Sequence, residues 1–77
     1  MDELIKMVCQ ALKEEAEAVI SYCEKIESTS DIDNSADTAR VFEKIRLDEV
    51  EHIQNLTLQL TNLVVPEMEK VPDGEEV

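Results

Sequence analysis

The sequence predicts an all-α protein, an antiparallel two-helix hairpin that dimerises into a four-helix bundle. Three observations carry this. Its 77 residues hold one Gly and two Pro, both Pro after residue 65, so residues 1–64 lack strong helix breakers. Apolar side chains recur at helical spacing on either side of one Ser/Asp/Asn-rich stretch. And a chain this short usually needs disulfides, a metal or self-association to be stable. With one Tyr, one Phe and no Trp, its core must be aliphatic.

The first helix, from residue 3 to about 27, carries Ile5, Val8, Leu12, Val19, Tyr22 and Ile26 along one face. The stretch Glu27–Ser35 (ESTSDIDNS) has the composition of turns and N-caps, with Asn34 or Ser35 as the cap and Asp37 favourable in the first turn beyond it. A second helix, 36 to about 64, follows on Phe42, Ile45, Leu56 and Leu63, flanked by Ile53 and Leu60, and Pro66 is expected to end it. Residues 1–65 thus form one hairpin, and 66–77 read as a loose acidic tail. A lone hairpin leaves one apolar face uncovered. A second copy, related by a two-fold axis, covers it.

Composition narrows the partners. Seven basic against 19 acidic residues give a formal charge of −12, which repels nucleic acid and attracts cations. No apolar run is long enough to cross a membrane, and the opening Met1–Asp2–Glu3 is unlike a secretory signal. Cys9 and Cys23 lie 14 residues apart on one helix, about 21 Å, too far to bridge within a chain. Two unpaired thiols fit a reducing cytoplasm, where they are expected as small buried hydrophobes rather than ligands.

Three polar residues break the apolar seam. With Ile5 at a heptad a position, the first seam runs 5, 8, 12, 15, 19, 22, 26, and only Glu15 is charged. With Phe42 at a, the second runs 42, 45, 49, 52, 56, 59, 63, interrupted by Glu49, His52 and, near the end, Gln59. A carboxylate buried without a partner is strongly unfavourable. Measured along the helices from the loop, Glu15 lies about 18 Å away, Glu49 about 20 Å and His52 about 24 Å. All three therefore meet in one layer of an antiparallel hairpin. A two-fold axis through that layer would gather four carboxylates and two imidazoles, and two divalent cations would neutralise the four charges. Glu49-Val50-Glu51-His52 is a Glu-x-x-His pattern, which sets both ligands one turn apart on one face. Carboxylate-bridged di-metal bundles use such a pattern from two helices and a Glu from each of the other two. A buried polar cluster can also serve only to fix helix register, and that reading competes with metal binding.

These residues resemble the ferritin-like di-iron carboxylate superfamily, including rubrerythrins and bacterioferritins, over about residues 4–63. They look most like the encapsulated ferritins, two-helix halves completed by dimerisation. Glu14-Glu15-Ala16-Glu17-Ala18 followed by Tyr22 resembles one family motif, and Asp48-Glu49-Val50-Glu51-His52 the other. Ser21 stands where the family often has Trp. The resemblance implies a ferritin-like four-helix bundle in which Glu15, Glu49 and His52 bind two irons across the dimer. Glu14 and Glu17 match positions that bind cations on their way to that site. The resemblance further implies a site that oxidises Fe(II) with dioxygen for storage or detoxification, with Mn or Zn as other occupants of the same ligands. It also implies pairs assembled into rings, and a cytoplasmic setting or the inside of an encapsulin nanocompartment. Tyr22 is expected to pack behind the site with its hydroxyl bonded to the Glu15 layer. The alternatives are a rubrerythrin-like peroxidase and a metal-free helical interaction module. The first usually carries a four-cysteine iron domain, which two cysteines cannot make.

Overall fold

Uninterrupted helix-forming sequence from Glu3 onward gives α1, Glu3–Thr29, and after a six-residue loop α2, Ala36–Glu69. The computed structural model describes residues 3–69, and no strand occurs among them. Glu3 and Asp37 sit in the first turns, where a negative charge complements the helix dipole. Asp37 also takes an ion pair from Arg40 one turn on.

No basic residue closes the last turn of α1. Hydroxyls take that role. Ser28 Oγ donates to the Glu24 carbonyl at 2.9 Å, Thr29 Oγ1 to Ile26 at 2.7 Å, and Ser30 Oγ to Glu27 at 2.9 Å. These bonds compete with continued helix and satisfy carbonyls that the helix end leaves without partners. Asn34 then turns the chain at φ 60°, a left-handed conformation that Asn tolerates better than most residues. So the two expected caps divide the work. Asn34 makes the turn, while the Ser35 carbonyl accepts from Ala39 N–H at 2.8 Å and opens α2. The Ser35 hydroxyl reaches back to the Thr29 carbonyl at 2.7 Å and closes the loop.

Pro66 does not end α2, contrary to the sequence expectation. The helix runs through it to Glu69. Proline removes one amide donor and crowds the carbonyl four residues back. Here that carbonyl belongs to Asn62, an exposed residue, so water can satisfy it. The first residues of the supposed tail are therefore helical, and the rest of that reading, 70–77, lies outside the described residues.

The two helices lie side by side in a rod of 64 × 20 × 15 Å. The seam residues Ile5, Val8, Leu12, Val19, Tyr22 and Ile26 of α1 are half-buried, as are Phe42, Ile45, Ile53, Leu56, Leu60 and Leu63 of α2. None is fully buried. Among the described residues the only buried side chain is Thr29, at 8% exposure. Met7, Ile20, Leu47, Leu58 and Met68 are each more than half exposed. The two cysteines are exposed as well, which corrects the expectation of buried thiols. In a body two helices thick, residues off the seam have nothing to be buried against.

Candidate metal centre

Glu15 stands at the middle of α1, and Glu49 and His52 stand one turn apart on α2. The antiparallel packing brings all three together, as the distances from the loop predict. His52 Nδ1 lies 3.4 Å from Glu15 Oε2 and 3.8 Å from Glu49 Oε2. One ligand atom from each residue falls within 4.8 Å of the other two. Glu15 and Glu49 are largely covered, at 26% and 19% side-chain exposure, whereas His52 is open at 52%.

Size tests the fit. Oxygen and nitrogen ligands sit about 2.0–2.2 Å from a first-row divalent ion, so two on one ion are at most about 4.4 Å apart. The observed limit exceeds that by well under 1 Å, within the reach of small side-chain rotations. The contact at 3.4 Å is long for a hydrogen bond, so the three groups are near one another without being locked together. Two carboxylates and an imidazole make a donor set that suits Fe, Zn or Mn.

The other sequence candidates fall outside this cluster. Glu14 and Glu17 are exposed, and Glu14 accepts from Gln10 Nε2 at 3.4 Å on its own helix. Gln59 is exposed. The Tyr22 ring packs on Phe42, centroids 5.9 Å apart and tilted by 53°, with the Lys25 ammonium 5.2 Å from its centroid. Among the described residues no hydrogen bond joins its hydroxyl to Glu15, so the expected link is absent. Seven residues separate them, about 10 Å along the helix, and the ring is held toward the loop instead.

One neighbour went unnoticed in the sequence. Arg46 stands one turn before Glu49 and pairs with Glu43, with Nε donating to Oε2 at 3.3 Å. That hydrogen bond holds the Glu43 carboxyl below its usual range and raises Arg46 above its own. Its signal is a Glu-x-x-Arg spacing, one of the pairings that helix geometry favours. The guanidinium is thereby engaged with Glu43 beside the cluster.

No known family, characterised protein or solved structure matches this chain. The case for the centre rests on its donors and their geometry. Among the described residues no helix is long and apolar enough to cross a membrane.

Proposed function

We propose that the chain is half of a ferroxidase. Two copies join about a two-fold axis through the layer of Glu15, Glu49 and His52. The joined site takes two Fe(II) ions as substrate and passes their electrons to dioxygen, for iron storage or detoxification. One observation carries this reading. The chain's single His and two of its carboxylates, from positions up to 37 residues apart, converge on one spot halfway along the hairpin.

Each residue has a part. Glu15 and Glu49 bring two negative charges per chain and four per pair, the charge that two divalent ions cancel. Carboxylates can bridge, which suits holding two ions close. His52 offers a nitrogen ligand with its Nδ1 already turned toward both carboxylates. The open side of His52 is where the second copy would complete the donor set. Glu14 and Glu17, exposed and acidic, would draw cations toward the site.

A metal-free interaction module is the reading that the exposed apolar side chains favour. Metal content of the purified protein separates the two. For the ferroxidase, aerobic oxidation of added Fe(II) is followed by absorbance. His52→Ala should keep the helices and lose rapid oxidation, Glu49→Ala should do the same, and Glu17→Ala should at most slow uptake. Oxidation by His52→Ala at the parent rate would remove the assignment.

A further inference from the structure

α1 carries a second exposed face beside its seam. Cys9, Ala16, Ile20 and Cys23 line an exposed stripe about a quarter turn round the helix from Glu15. Both thiols are free, and Ile20 is 58% exposed.

The stripe is symmetric about its small residue. Cys9 and Cys23 are each seven residues from Ala16, two turns in either direction. If two α1 helices cross antiparallel with the axis at Ala16, Cys9 of each stands level with Cys23 of the other, and Ile20 stands level with Leu12. The charges beside the stripe obey the same symmetry. Exposed Lys6, Lys13 and Glu27 continue the Ile20 column at seven-residue intervals, the lysines in the N-terminal half and the glutamate in the C-terminal half, with exposed Glu17 and Glu24 just outside it. The antiparallel arrangement sets Lys6 beside Glu24 and Glu27 of the second copy, and Lys13 beside Glu17. A parallel arrangement would turn this flank toward the seam side of the second copy and leave the charges without partners. Complementary flanking charges fix register and orientation in paired helices.

We propose that this stripe is a docking surface for α1 of a second copy, antiparallel and centred on Ala16, with Cys9 facing the other copy's Cys23 at both ends. It does not depend on the metal centre. The small side chain at Ala16 lets the helices approach closely, Ile20 and Leu12 bury apolar surface, and two thiol pairs mark the register.

Oxidative crosslinking of the full chain tests it. Diamide takes two electrons and two protons from a thiol pair, forming the S–S bond and leaving a hydrazine. The parent should give a covalent dimer on a non-reducing gel. Cys9→Ser and Cys23→Ser should each give none, because identical positions are not level with one another. Two copies of Cys9, or two of Cys23, are about 21 Å apart along the pair, against the roughly 4.4–6.8 Å between Cα atoms that a disulfide allows. Mixing the two variants should restore a covalent dimer that contains one of each. His52→Ala should crosslink like the parent, so loss of the metal reading leaves this one standing. A parent that does not crosslink, or single variants that crosslink as well as the parent, would overturn the antiparallel register.

Discussion

The loop end of the hairpin and its open end are built on different physics. At the loop, Thr29 is buried, three hydroxyls hold the last turn of α1, and Ser35 ties back to Thr29. The Tyr22 and Phe42 rings pack beside them. At the open end, half-buried Ile5 and Leu63 share their helices with Met7 at 64% exposure, Leu58 at 63% and Met68 at 66%. Hydrogen bonds within one chain complete the first. The second rests on hydrophobic contact along the seam, and much of its apolar surface stays exposed. The contrast says that the chain closes its own turn with hydrogen bonds, whereas the far half of the rod leaves apolar surface that the proposed pairing would use.

The largest expected effect follows from the missing core. Melting should depend strongly on protein concentration, since association stabilises by mass action. A compact monomer that unfolds cooperatively at micromolar concentration, seen by sedimentation, would erase the contrast between the two ends.

Next comes the middle of the rod, between the two ends. Glu15→Gln keeps shape and removes one charge per chain. Without metal, the carboxylates of a paired site repel, so the variant should melt higher than the parent. With Fe(II) under anaerobic conditions the order should reverse. Ligand at a hundred times its Kd contributes about 2.7 kcal/mol, a shift on the order of 10 °C for a domain of this size. A variant that melts lower without metal and shows an unchanged metal-induced shift would make Glu15 a structural residue.

The loop can be probed one bond at a time. Ser35→Ala should cost about 1 kcal/mol by removing the bond to Thr29. Asn34→Ala should cost about 1–2 kcal/mol because its backbone is left-handed, while Asn34→Gly should cost little. Equal losses for Ala and Gly at position 34, read from denaturant melts, would shift the cause from backbone to side chain.

The smallest effect belongs to the Glu43–Arg46 pair. The folded carboxyl of Glu43 is lowered by its hydrogen bond to Arg46, so the pair's contribution is present above the unfolded carboxylate range. It fades as pH falls through the lowered folded value. Arg46→Gln should therefore melt slightly below the parent at neutral pH and converge with it in acid. A gap that widens on acidification would contradict the sign.

Helical arithmetic made the two helices and the cluster legible in the sequence. A rise of about 1.5 Å per residue is enough to set Glu15, Glu49 and His52 level once both helices are measured from the loop. Features that depend on surroundings were harder. Cys9 and Cys23 look like core residues by type, but burial needs a neighbour that a two-helix chain lacks. Pro66 looks like a terminator, but the group it strands is exposed. The Tyr22 hydroxyl could not be placed from spacing alone, because the ring follows Phe42.

The rod is only 15 Å thick along its narrowest extent, so no part of the carboxylate cluster is far from water. Two unit charges 4 Å apart attract by about 1 kcal/mol in water and by about 4 kcal/mol at an effective dielectric constant of 20. Laying a second hairpin over the open side would displace that solvent. The same three side chains, after the small rotations that close them on an ion, would then attract a cation several times more strongly. Affinity in such a design is set by the cover as much as by the ligands.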